Sequence, residues 1–220
     1  MTAAAPTGAA GPWLRVRGRR YRVILPSWRD PRMHLAVVIW SLQILGQTVL
    51  DFRVSIAQIL LTLVTCALLD MAFEFGRRSV IMWPASALLT ANGIAFILRV
   101  PGTEHGDWWS LNGWWIYVGV AVFAILSKHL IRYHGRHIFN PSNVALVACF
   151  LVLGEARAEP LDFWWGPMLS WVALGLAIIV LNGLVILWRV GLLSVAMGFW
   201  VAFAAGLAVI GPKCQRAVIA

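Results

Sequence analysis

Seven apolar runs, at residues 33–50, 54–75, 80–100, 114–131, 141–153, 167–188 and 192–210, occupy most of this 220-residue chain and leave no connection long enough to build a soluble domain. Six of the seven reach the roughly 17 to 25 residues with which a helix crosses about 30 Å of hydrocarbon. Lipid offers no water to unpaired backbone groups, so runs of this length are read as helices. The expected fold class is all-α, a polytopic transmembrane helical bundle of about seven spans. Composition agrees, with 60% hydrophobic residues, 12% charged residues and a mean hydropathy of +0.79, far from a soluble domain. The pairs Trp108-Trp109, Trp114-Trp115 and Trp164-Trp165 stand beside predicted span ends, where the amphipathic indole settles.

Three divisions follow. Residues 1–32 are expected to be a basic, disordered cytoplasmic segment, 33–210 the transmembrane domain and 211–220 a short tail. The net charge of +9 is concentrated before the first run, in Arg15, Arg17, Arg19, Arg20, Arg22, Arg29 and Arg32. That placement argues for a topology signal that also touches anionic headgroups, and against a nucleic-acid partner. With the N-terminus in the cytoplasm, 13 of the 18 basic residues fall inside and six of the nine acids outside. The alternation holds only if the shortest run, 141–153, also crosses. The localisation expected is a bacterial-type plasma membrane, with the lipid bilayer and other membrane subunits as partners.

That short run follows a cluster of cations and amides, Arg132-Tyr133-His134-Gly135-Arg136-His137-Ile138-Phe139-Asn140. Asn140 is placed to cap a helix whose first residue is Pro141, where a missing N–H costs nothing. Thirteen residues make about 20 Å of helix, and short helices of this kind mark binding sites in transporter-like folds. His129, His134 and His137 flank the fourth run among Lys128, Arg132 and Arg136, so their expected partners are headgroups or a phosphate rather than haem or a metal. Cys66, Cys149 and Cys214 have no metal-like spacing, and no disulfide framework is inferred.

Two further groups stand out. Asp70 and Glu74 lie four apart in the second run, and ionisable residues within a span are candidates for an ion or proton path. Glu74 is also four residues before Arg78, the favourable order for a helical ion pair. In the third run Ser86, Thr90 and Gly93 share a face beside Pro84 and Asn92, a pattern that serves either close helix packing or ligand contact.

Ser86-Ala87-Leu88-Leu89-Thr90, Lys128 and His137-Ile138-Phe139-Asn140-Pro141-Ser142-Asn143 stand in an order that resembles the RnfD and NqrB family, membrane subunits of ion-translocating electron-transport complexes. Ile44-Leu45-Gly46-Gln47-Thr48-Val49-Leu50 with Ala57-Gln58 is similar to the branch described as enediyne biosynthesis UnbU-like proteins. The resemblance implies a helical bundle of two inverted repeats with a flavin or ion site between broken helices. Electron-carrying members attach FMN to a threonine in a Ser-Gly-Ala-Thr-like sequence, and none of Thr48, Thr62, Thr65, Thr90 or Thr103 stands in one, so covalent flavin is not expected. Members of the family also continue to a Thr-Asp-Pro helix, which implies that this chain is a truncated form.

Two functions are expected from this. In the first, the chain serves ion-coupled electron transport with non-covalent FMN or riboflavin held by Ser86, Thr90, Arg132, Arg136, Phe139, Asn140, Pro141 and Asn143, and with Asp70 and Glu74 on the ion path. In the second, it is a non-redox transporter or accessory component of secondary-metabolite biosynthesis or export. No catalytic constellation is identified in either.

Overall fold

A computed structural model describes residues 10–16, 19–27, 30–134, 136–160 and 170–219. The chain is mostly helical and forms two compact units, Met1–Leu176 and Ala177–Ala220. Among the described residues there are seven helices: α1 (Pro31–Val49), α2 (Ile56–Arg78), α3 (Ala85–Ile97), α4 (Trp114–Leu130), α5 (Pro141–Leu153), α6 (Ser170–Arg189) and α7 (Leu193–Ile219). Each falls on one of the seven apolar runs. By length and composition, however, only the stretches Ile56–Arg77 and Trp171–Arg189 meet the requirement for crossing a membrane among the described residues; Ala85–Ile97, Trp114–Leu130, Pro141–Leu153 and Leu193–Ala208 are apolar but shorter.

The third run departs furthest from expectation. Its first residues pair as strand β3 (Val80–Met82) and its last as β4 (Leu98–Arg99), so only 13 residues between them are helical. Pro84, at the N-cap of α3, has no N–H to give and biases Trp83 away from helical geometry. Arg99, counted within the run, is 9% exposed and pairs with Glu159 at 3.1 Å, and β4 lies antiparallel to β7 (Glu159–Pro160). A second 13-residue helix, α5, packs against α3. A Cβ on Gly93 would stand 3.3 Å from the Ser142 hydroxyl, so the glycine is what lets the two short helices approach.

Within the basic N-terminal segment, residues 10–16 and 19–24 are strands, where disorder was expected. Strands β1 (Ala10–Val16) and β2 (Arg19–Ile24) form an antiparallel hairpin, and β2 continues the sheet by pairing in parallel with β3. The Tyr21 ring packs 5.2 Å from Phe75 of α2, and Trp83 donates its N–H to the Ile24 carbonyl at 2.9 Å. Apolar residues alternating with arginines give this segment the period of a strand.

α2 packs against α3 and α4, α3 also against α1 and α5, and α4 against α5. Their contact surfaces are small, with Ala87, Ala91, Ala95, Ala121, Ala124 and Ala145 all at most 1% exposed. Ile94, Leu98 and Ile125 are buried among them, while other large aliphatic side chains turn outward, as at Leu68 (63%) and Leu151 (81%).

The connections of this unit gather at two ends. At one, Ser55 and Gln58 form a capping box at the start of α2, and the Gln58 amide donates to Thr103 Oγ1 at 3.0 Å and the Asn112 carbonyl at 2.7 Å. Arg53 with Glu104 and Asp51 with His105 join the same end, where the α1–α2 connection meets residues 101–113. At the other lie the hairpin, the end of α2 and the start of α3, and Arg77 donates to the His129 carbonyl at 3.2 Å. Trp164, Trp165 and Asp162, placed at a span end and an outer loop by sequence, lie outside the described residues.

In the second unit, α6 turns into α7 at Gly191. Its φ of 71° and the bonds Gly191 N–H to Trp188 O and Leu192 N–H to Leu187 O form a Schellman ending, which needs the left-handed conformation glycine adopts freely. Phe199, Trp200 and Phe203 of α7 pack ring to ring at 6.0–6.4 Å and stay about half exposed or more.

Candidate functional site

Asp70 lies nearly two-thirds of the way along α2 and is 2% exposed. An isolated carboxylate at such depth would be neutralised or expelled, and two neighbouring residues of α4 answer it. Lys128 Nζ donates to Asp70 Oδ1 at 2.7 Å, and His129 Nε2 stands 2.8 Å from the same oxygen. Both side chains are themselves buried or nearly so. The His129 ring stacks on Phe73 at 4.6 Å, one turn from Asp70, which fixes its plane.

Lys128 is a donor only, and Asp70 Oδ1 accepts from it. The role of His129 Nε2 toward the same oxygen follows its tautomer, and its Nδ1 is buried without a hydrogen-bond partner among the described residues.

Asp70 and Lys128 face a polar cavity of about 70 Å³, lined also by Ser86 at the start of α3, by Asp30 and Arg32 at the start of α1, and by Ile24 to Pro26 after the hairpin. That is room for a few waters, with enough polar partners to hold them. Asp30 caps α1, accepting the Arg32 N–H at 2.9 Å, while the Arg32 guanidinium bonds its carboxylate at 2.7–3.1 Å. The guanidinium's hydrogen bond holds the Asp30 carboxyl below the usual carboxylate range, against a smaller opposing effect of burial.

Of the residues expected from sequence, Asp70 and Ser86 come together here. Glu74 is buried one turn further along α2; its expected partner Arg78 has its side chain outside the described residues. Thr90 is buried with its hydroxyl donating to the Ser86 carbonyl at 3.0 Å, so the Ser86–Thr90–Gly93 stripe is taken up by the helix and by the approach of α5. Asn140 caps α5 as expected, with Pro141 first in the helix. Its side-chain oxygen accepts the Ser142 N–H at 3.2 Å and the Ser142 hydroxyl at 2.8 Å.

Phe139, Asn140 and Asn143 are exposed, and Arg132 stands in a small hairpin of β5 (Arg132–Tyr133) and β6 (Arg136–His137), where His134 at φ 48° supplies the turn. Partial desolvation, followed by the charges of Lys128 and Arg132, holds the His137 imidazole below its ordinary range. The Arg136 side chain lies outside the described residues. None of Arg132, Phe139, Asn140, Pro141 and Asn143 lines the cavity at Asp70. Of the residues assigned to a flavin, Ser86 lines the cavity at Asp70, and the Asn140 oxygen is engaged in the helix cap.

Lys128 and His129 are the members of this cluster that the sequence did not connect to Asp70. The sequence places His129 at the headgroups, whereas it is 4% exposed against Asp70. The usable signal was the acid itself, because a buried carboxylate requires a cation within reach.

Comparison with known proteins finds no family model that matches the chain and no curated protein significantly similar to it. The chemistry of the site rests on its own geometry.

Proposed function

We propose that this chain is a multi-pass plasma-membrane protein, with its N-terminus on the cytoplasmic side, that couples a proton or small monovalent cation to transport through Asp70. The single observation that carries the proposal is the buried Asp70 carboxylate, bonded at one oxygen by both Lys128 and His129 and open to a polar cavity. Intramembrane acids paired in this way are the usual stations of proton and ion relays.

Support for the membrane part comes from the outward apolar faces of the helices, as at Leu68 and Leu151, with buried alanines at the helix contacts. The segregation of loops to two ends of the first unit is the pattern that alternating crossings produce. Non-helical backbone at β4 is buried against β7, and the Tyr117 hydroxyl donates to the Leu98 carbonyl at 3.3 Å, as a break within lipid depth would need. The short helices α3 and α5 cross by thinning the bilayer or packing against their neighbours.

In this mechanism Lys128 serves as a resident counter-ion. A proton or cation arriving from the cavity at Asp70 competes with the ammonium group, and His129 Nδ1 offers the next proton position. The resemblance to RnfD and NqrB is compatible with membership of a larger ion-translocating complex. No step is routed through a flavin.

The test is proton flux. Vesicles carrying the purified full-length protein, an internal pH dye and a potassium diffusion potential are expected to acidify faster than empty vesicles, and Asp70→Asn is expected to abolish the difference. Wild-type vesicles as tight as empty ones to protons and to sodium, or an Asp70→Asn variant that conducts normally, would reject the proposal. Flavin is checked separately by the visible absorption of the same preparation.

A further inference from the structure

The polar cavity at Asp70 has a floor and a rim. Asp70 and Lys128 form the floor and are buried or nearly so, while Arg32, Leu25 and Trp83 line it as half-exposed residues. Arg32 is therefore the charged group at the mouth. Its guanidinium is anchored on Asp30, a lining residue whose side chain is 8% exposed against 46% for Arg32. Arg32 Nε meets both oxygens of that carboxylate, at 3.1 and 2.9 Å, and a terminal nitrogen meets Oδ2 at 2.7 Å. The Arg32 backbone N–H donates to Oδ1 at 2.9 Å. Among the described residues the cavity thus presents two acids, Asp30 and Asp70, and each already carries its own cation.

We infer that Arg32 is the specificity-determining residue of this cavity, withholding its acids from metal cations and leaving the proton as the ion that reaches Asp70. The inference rests on the ion path through Asp70 and narrows it. A metal cation that sheds its hydration shell needs oxygens to replace it. Both oxygens of Asp30 are taken up by Arg32, and Asp70 Oδ1 by Lys128. A metal cation that keeps its shell needs more room than about 70 Å³, which a few waters fill. A proton escapes both restrictions, since it passes along hydrogen-bonded water and needs one lone pair where a metal ion needs a set of ligands. The Asp30 carboxylate also offsets the guanidinium's charge, so the pair withholds ligands without setting a barrier of positive charge against the proton.

The experiment compares melting temperatures of the full-length protein in mild detergent, in sodium chloride and in N-methylglucamine chloride at equal ionic strength and pH. A cation that binds the folded state raises the melting temperature, and N-methylglucamine is too large to follow sodium into the cavity. The wild type is expected to melt alike in both salts. Arg32→Gln frees a buried carboxylate at the rim. It is expected to melt lower than the wild type in N-methylglucamine and to regain part of the loss in sodium. Adding Asp30→Asn, which keeps a helix-capping residue, is expected to abolish that sodium response.

A wild-type protein stabilised by sodium would overturn the inference, as would an Arg32→Gln protein that melts alike in both salts or one whose sodium response survives Asp30→Asn. If Arg32→Gln does not fold, Arg32→Lys decides. Its ammonium is a point charge in place of the planar fork, so a smaller sodium rise is expected, and indifference to sodium would reject the inference. In vesicles, wild-type proton flux is expected to be the same in either salt, and competition by sodium would overturn the inference on its own. The ion path fails separately: wild-type vesicles that carry no protons would reject it, while the melts would still report whether Arg32 keeps sodium out of the cavity.

Discussion

Asp70 Oδ1 meets two side chains that are neighbours in sequence and lie about 58 residues away along the chain. The consequence is an asymmetry between single and double substitutions. Lys128→Met leaves Asp70 buried with only the imidazole beside it and is expected to cost about 3–5 kcal/mol, the usual result of removing one member of a buried pair. Lys128→Met combined with Asp70→Asn removes both charges together and is expected to recover most of that loss. Melting temperatures of the wild type, the two single variants and the double variant give the coupling directly; additive effects would show that the two groups do not depend on each other. Asp70 itself was legible in the sequence, because charge within an apolar run is conspicuous. Its partners were not, because which face of α4 turns toward α2 depends on packing across a long separation, and a lysine and histidine at a span end read equally well as headgroup contacts.

At the scale of elements, what the chain announced most clearly was where helices lie. The Asn140 cap and Pro141 start of α5 follow from local chemistry alone, and the structure bears them out. The breaks inside the third run were hidden for the opposite reason: Val80–Met82 and Leu98–Arg99 are apolar enough to pass as helix, and only pairing with β2 and β7 holds them extended. The N-terminal hairpin was similarly masked by its arginines. Gln58, which entered as part of a family resemblance, is a structural residue. It receives the Ser55 N–H at 2.8 Å and ties the start of α2 to residues 103 and 112 through the other half of its amide. Gln58→Leu would strand those partners and is expected to destabilise the protein by about 2–3 kcal/mol, seen as a lower melting temperature. Unchanged melting would mean that water replaces the amide fully and that this end is wetter than its burial indicates.

For the whole molecule the decisive question is which side each end of the first unit faces. Glu159 is a poor position for a label, since its replacement would strand Arg99. Glu155 is exposed and Tyr133 is 68% exposed at the other end. In intact cells Glu155→Cys is expected to react with an impermeant thiol reagent, and Tyr133→Cys only after lysis. The reverse pattern would invert the assigned orientation, and equal labelling of both from outside would remove α5 as a crossing. The arginine distribution is what proposes this orientation, while the number of crossings was not readable, because length alone does not say how far a 13-residue helix extends through a deformed bilayer.

The pairing of the two short helices has an electrical consequence. Each is about 20 Å long where lipid would present about 30 Å, so if both cross as proposed by thinning the bilayer, the membrane there would be a thinner insulator. The same resting voltage then falls across a shorter path, and the field there is steeper by about half. A charge displaced through the full drop gains about 2.3 kcal/mol per 100 mV wherever it crosses, but here it gains more of that energy per ångström moved. Small movements of charge at Asp70, beside the start of α3, would be more sensitive to voltage than equal movements beside a full-length helix.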